Sequence, residues 1–155
     1  MGVKKILLAD DDRHLRKLVS ATLEGDPEYV VLQASDGAET LEKARREHPD
    51  LILLDVSMPH MNGFEVCRQL RADPATADIP IVMLTAAANA ADREAGRAAG
   101  ATDYFVKPFS PLSLLRRVSE LLGRDTDLPP LGRGSPHVGS GSGSAPGSPL
   151  TAGGT

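Results

Sequence analysis

The sequence predicts an α/β fold, a five-stranded parallel sheet with helices on both faces. Three observations carry this expectation. Five short apolar runs alternate with five segments of helical periodicity. The central run, Leu51-Ile52-Leu53-Leu54, is continuously apolar, as suits a strand covered on both faces. Four of the five runs end on polar residues, Asp10 with Asp11, Asp55, Thr85 and Lys107. In a parallel sheet such ends share one edge, which is where ligands bind.

In chain order, Ile6-Leu7-Leu8-Ala9 is the first strand and breaks into Asp10-Asp11-Asp12. Leu15, Leu18, Val19, Thr22 and Leu23 recur at helical spacing, with Asp12 as the expected N-cap and Gly25-Asp26-Pro27 as the stop. Tyr29 to Ala34 is the second strand, Ser35-Asp36 offers a cap, and Gly37 to Glu47 is the second helix. His48-Pro49-Asp50 breaks the chain before the central strand, and Asp55 closes that strand. After Pro59, His60 to Gly63 is loop. Phe64, Val66, Cys67 and Leu70 mark the third helix, and Ile79 to Thr85 the fourth strand. Asp92 to Ala99 is a weakly apolar helix ended by Gly100. Asp103 to Lys107 is the fifth strand. Ser110 and Pro111 open the last helix, whose expected buried side is Leu112, Leu114, Leu115, Val118, Leu121 and Leu122.

Composition limits the function. The chain has 155 residues, 41% hydrophobic and 25% charged, enough for one domain with an aliphatic core, since it holds no Trp, two Tyr and three Phe. A net charge of −4 argues against a dedicated nucleic-acid surface. No apolar run approaches the roughly 20 residues a membrane span requires. The single Cys67 cannot close an internal disulfide, and with no signal-peptide core after Lys4-Lys5 the expected location is cytoplasmic. The buried side of the third helix is the expected place of Cys67. His14, His48, His60 and His137 show no metal-ligand spacing and read as surface residues. Residues 124–155 hold eight Gly, five Pro and five Ser, so they read as a disordered tail or linker following a domain at 1–123.

Alone, Asp55 reads as a strand-end cap, a metal ligand or a nucleophile. The convergence of Asp10, Asp11 and Asp55 favours the chemical readings, because three like charges at one sheet edge raise one another's pKa or need a cation. Lys107 supplies one positive charge, and hard oxygen ligands suit Mg²⁺ as the second. A carboxylate nucleophile, a metal platform, a lysine and a hydroxyl (Thr85) are the parts phosphoryl transfer uses.

The motifs Ile6 to Asp12, Leu53 to Pro59 with Asn62-Gly63, Leu84-Thr85-Ala86 and Tyr104 to Phe109 resemble the receiver domain of two-component response regulators, over roughly residues 3–122. The resemblance implies a (βα)5 flavodoxin-like sheet of strand order 2-1-3-4-5. It implies Asp55 as phosphoacceptor, with Mg²⁺ held by Asp11, by Asp10 largely through water, by Asp55 and by the Ser57 carbonyl. Lys107 then pairs with the phosphoryl group, Pro108 follows a cis peptide, Thr85 is the switch hydroxyl, and Tyr104 changes rotamer with it. The implied partners are a sensor histidine kinase or histidine phosphotransfer protein, and a downstream protein read by the fourth-helix, fifth-strand and fifth-helix face. No direct nucleic-acid or membrane contact is implied.

Such a domain is a signalling module that assists its own phosphorylation and dephosphorylation, not an enzyme acting on other substrates. Ser57 and Ala87, both small, leave the phosphoryl group open without orienting water. One alternative is a receiver fragment of a larger regulator whose output domain is missing. Another, weaker, is a Mg²⁺-dependent phosphatase with an aspartyl-phosphate intermediate. Such enzymes carry a second Asp two residues after the nucleophile, where this chain has Ser57.

Overall fold

The computed structural model describes residues 3–58, 62–86 and 90–123. Pro59, His60, Met61, Ala87, His137 and the segment 124–155 lie outside the described residues. The chain divides into two compact units, Met1–Val118 and Ser119–Thr155. Of the second, only residues 119–123 are described.

The elements alternate as β1 (Lys4–Ala9), α1 (Arg13–Leu23), β2 (Tyr29–Ala34), α2 (Gly37–Glu47), β3 (Leu51–Asp55), α3 (Gly63–Ala72), β4 (Ile81–Thr85), α4 (Ala90–Ala99), β5 (Asp103–Val106) and α5 (Pro111–Leu121). All strand pairs are parallel, in the order β2-β1-β3-β4-β5. Both the architecture and the strand order match the expectation. Every residue of β3 and β4 is buried, because helices cover both faces of the sheet centre. The fourth strand starts two residues later than expected. Pro80 has no amide hydrogen to give a ladder, although its carbonyl still accepts from the Ile52 amide at 2.9 Å.

Short polar side chains fix the helix starts nearest the site. Asp12 Oδ1 accepts from the amides of His14 (2.9 Å) and Leu15 (3.2 Å) and opens α1. Asp36 caps α2 by accepting from the Glu39 amide at 2.8 Å, and Asn62 caps α3 by accepting from Glu65 at 2.9 Å. The Ser110 hydroxyl accepts from the Ser113 amide at 3.3 Å at the start of α5. His48 ends α2 in the left-handed region, at φ 50°, where a glycine is more usual.

Two apolar residues assigned to buried helix sides face solvent, Leu18 at 53% exposure and Leu112 at 67%. Leu112 and Leu114 lie about 200° apart around a helix, so one burial excludes the other, and Leu114 is the buried one. Cys67 is fully buried on α3, where its Sγ donates to the Ala99 carbonyl at 3.3 Å. Burial pushes its thiol pKa up, which leaves it inert.

Candidate functional site

Ladder register brings the C-terminal ends of β1, β3, β4 and β5 to one edge. Ala9 pairs with Leu54, Asp55 with Leu84, and Thr85 with Val106. Asp10 and Asp55 therefore land at the same height, with Thr85 one residue and Lys107 two residues further along the same edge. Carboxylate oxygens of Asp10, Asp11 and Asp55 all lie within 4.8 Å of one another. Lys107, just past β5, donates its own amide to the Thr85 carbonyl at 2.7 Å, and its side chain reaches back across the edge. Its ammonium stands 2.9 Å from Asp10 Oδ2 and 3.2 Å from Asp55 Oδ1. The Lys107–Pro108 peptide is cis.

Burial separates the three acids. Asp10 is fully buried and Asp55 is 3% exposed, whereas Asp11 faces solvent. Asp10 Oδ1 accepts from the Asp12 amide at 2.9 Å. Among the described residues Asp10 Oδ2 has the Lys107 ammonium beside it but no well-aligned hydrogen bond. Asp55 Oδ1 also accepts from the Ser57 amide at 3.2 Å.

The electrostatics follow from this packing. Burial, then the neighbouring Asp10 charge, raise the Asp55 pKa from 3.8 to about 6, against the opposing pull of the Ser57 amide and Lys107. For Lys107, burial works to lower the pKa, but the two carboxylates outweigh it and hold the ammonium above its ordinary value. One ammonium contacts the two buried acids of a three-acid cluster, with oxygen donors throughout. That set fits a hard divalent cation with several waters retained. An open cleft of about 420 Å³ lies above it, lined by Asp11, Asp55, Ser57, Thr85, Lys107 and Asp92 among others.

Of the residues singled out in the sequence, Asp10, Asp11, Asp55 and Lys107 meet through the contacts above, and Ser57 and Thr85 wall the cleft with them. Tyr104 does not line this cleft. Its hydroxyl donates to the Asp92 carbonyl at 2.8 Å and to the Arg93 carbonyl on the first turn of α4. Three contributors escaped the sequence reading. Arg16 Nη1 donates to the Asp10 carbonyl at 2.6 Å and its Nε to Gln33 at 3.1 Å, tying α1, β1 and β2 together beneath the acids. Asp92 lines the cleft from α4. Gly63 packs so closely that a Cβ there would lie 2.3 Å from the Asp55 carbonyl oxygen and 2.8 Å from Val56 Cα. Its amide also donates to the Val56 carbonyl at 2.7 Å. Only the Asn-Gly pair hinted at this last contact, and it reads equally well as generic turn chemistry.

A family model described as "Response regulator receiver domain" matches residues 6–119. The chain is 46% identical over 128 residues to the probable transcriptional regulator ycf27 of Cyanophora paradoxa, covering 83% of this chain and 52% of that protein. It spans about half the length of the curated relatives it matches. Among solved structures, chemotaxis protein CheY4 of Vibrio cholerae is similar at TM-score 0.73 and 39% identity, over 77% of this chain and 99% of that one. The receiver domain of sensor histidine kinase PA1611 from Pseudomonas aeruginosa, with a magnesium ion coordinated in its active-site cleft, is similar at TM-score 0.72 and 33% identity. That match covers 79% of this chain and 99% of the other.

Proposed function

The chain belongs to the response regulator receiver family, and on that premise we propose that it accepts a phosphoryl group on Asp55 from the phosphohistidine of a sensor histidine kinase or histidine phosphotransfer protein. The observation that carries this reading is the set of Asp10, Asp11 and Asp55 oxygens within 4.8 Å, with the Lys107 ammonium against two of these acids. Mg²⁺ is the cofactor, held by Asp10, Asp11, Asp55 and the Ser57 carbonyl. Bound there, it supplies positive charge beside the phosphoryl oxygens.

The residues then divide the work. An Asp55 carboxylate oxygen attacks phosphorus, the P–N bond breaks, and imidazole departs with the electron pair and takes a proton from solvent. The Lys107 ammonium pairs with a phosphoryl oxygen and fixes the line of attack. The Thr85 hydroxyl donates to another oxygen, and Tyr104 changes rotamer with it. The new group adds about one to two negative charges. The α4–β5–α5 face repacks as a population shift between two states, which a downstream protein reads. The domain is residues 1–123 and works in the cytoplasm, without direct contact to nucleic acid or membrane. Residues 124–155 serve as a tail or linker.

A second reading is that this receiver controls a larger regulator. The matched stretch is about half of each relative, and MtrA among them is named a DNA-binding response regulator, which supports it. Phosphoramidate, a small P–N donor, tests the common core of both readings. With Mg²⁺ it is expected to give a shifted band in a phosphate-affinity gel for the wild type and none for Asp55→Asn. An unshifted wild type that also releases no phosphate would overturn the proposal.

A further inference from the structure

Gly96 lies in the interior of α4, where glycine weakens a helix relative to alanine. It is buried, and its place is filled by a side chain from elsewhere. A Cβ on Gly96 would lie 2.2 Å from the Tyr104 hydroxyl oxygen, 2.8 Å from Cζ and 3.3 Å from Cε2. The hydroxyl occupies that space because it donates to the carbonyls of Asp92 and Arg93, one turn earlier. In an α-helix the carbonyl of residue 92 already accepts from the amide of residue 96, and a side chain at 96 shields its second lone pair. Without that side chain, the carbonyl is open to a donor from β5. The Arg93 guanidinium lies 5.8 Å from the ring centroid and closes the other side.

We propose that Gly96 is a positioning residue for Tyr104: it provides the seat for the Tyr104 hydroxyl on the first turn of α4, and through Asp92 this seat is coupled to the phosphoacceptor cleft. Asp92 belongs to both places, since it lines the cleft and its carbonyl holds the hydroxyl. A ring that leaves the seat frees the turn walling the cleft, and a rearranged wall weakens the seat. The seat therefore holds one of the two states of the switch, and Gly96 sets its population. The coupling to the cleft rests on the phosphoacceptor reading above; the seat itself does not.

Two measurements separate these parts. The first is a double-mutant cycle by urea unfolding, with Gly96→Ala made in the wild type and in Tyr104→Ala. With the ring removed, alanine is expected to raise the folding constant by roughly fivefold through helix propensity. With Tyr104 present that gain is expected to vanish or reverse, because the ring must leave. Equal effects in both backgrounds would overturn the seat. The second is titration with Mg²⁺ and beryllofluoride, an inorganic stand-in for the phosphoryl group, followed by amide chemical shifts. Gly96→Ala is expected to change the affinity by about fivefold or more when Tyr104 is present, and not when it is alanine. Tighter binding assigns the seat to the state without a phosphoryl group, and weaker binding to the state with one. An unchanged affinity beside a coupled stability cycle would overturn the link to the cleft and keep the seat. Failure of the wild type to bind beryllofluoride would overturn the link together with the phosphoacceptor reading, and the stability cycle would still decide the seat.

Discussion

Replacing Asp55 by Asn is expected to stabilise the metal-free chain, and only above mildly acidic pH. Asp55 is 3% exposed and faces the buried Asp10, so its pKa rises from 3.8 to about 6. A group whose pKa is raised by folding contributes stability that is fully present below its unfolded value. That contribution is lost as pH rises through its folded value. The wild type should therefore lose stability between about pH 4 and pH 6, where the folded chain holds a proton the unfolded chain has released. A displacement of this size corresponds to about 3 kcal/mol at the limit. Water in the open cleft screens part of it, so the expected gain in Asp55→Asn is about 1–3 kcal/mol at pH 7.5. Near pH 3.5, where Asp55 is protonated in the folded chain and mostly so in the unfolded one, the two proteins should differ by less than roughly 0.5 kcal/mol. Urea unfolding with a chelator, at several pH values, measures both numbers. A gain independent of pH, or a loss at pH 7.5, would show that the buried charge is not what strains this site.

Metal and proton compete for the same oxygens, so Mg²⁺ affinity, followed by calorimetry, should weaken by up to about tenfold per pH unit below pH 6 and level off above it. Gly63→Ala should cost about 1–3 kcal/mol in urea unfolding, because the Cβ meets the Asp55 and Val56 backbone, which cannot swing aside as a side chain can. Acetyl phosphate labelling should fall with it as the Asp55 backbone is displaced. Asp12→Ala should cost about 1 kcal/mol through loss of the α1 cap, yet leave calorimetric Mg²⁺ affinity within about twofold, since the Asp12 carboxylate caps the helix and stands outside the three-acid cluster, and the hydrogen bond from its amide to Asp10 survives the substitution.

Burial of β3 and β4 and the meeting of Asp10, Asp11, Asp55 and Lys107 were legible because each depends on period and position along a strand, whereas the strand order followed only from the resemblance to receiver domains. A polar residue just past an apolar run in a parallel sheet has one edge to go to. What escaped depends on the third dimension of helices. Leu18 and Leu112 match an apolar pattern but fall just outside the buried arc, and a window of spacing does not fix where that arc ends. Arg16 was hidden for a related reason: a long side chain on α1 can reach a β1 carbonyl without leaving any periodic mark. Gly63 and Gly96 share one logic, since each marks a place where another group fills the missing side chain's space. Sequence shows the glycine and not its neighbour, which is Asp55 backbone in one case and the Tyr104 hydroxyl in the other. Nor could the order of burial among the three acids be read, although it determines which of them is strained.

The proposed phosphoryl chemistry stands or falls with Asp55 as the acceptor. Its most direct test is to incubate the chain with Mg²⁺ and acetyl phosphate, reduce the product with borohydride, and map peptides by mass spectrometry. Reduction converts an aspartyl phosphate to homoserine and leaves a free carboxylate untouched. Homoserine at position 55, absent when Mg²⁺ is chelated or Lys107 is replaced by Ala, is the predicted result. Homoserine at Asp10 or Asp11 instead, or none anywhere while the donor is also not consumed, would contradict it.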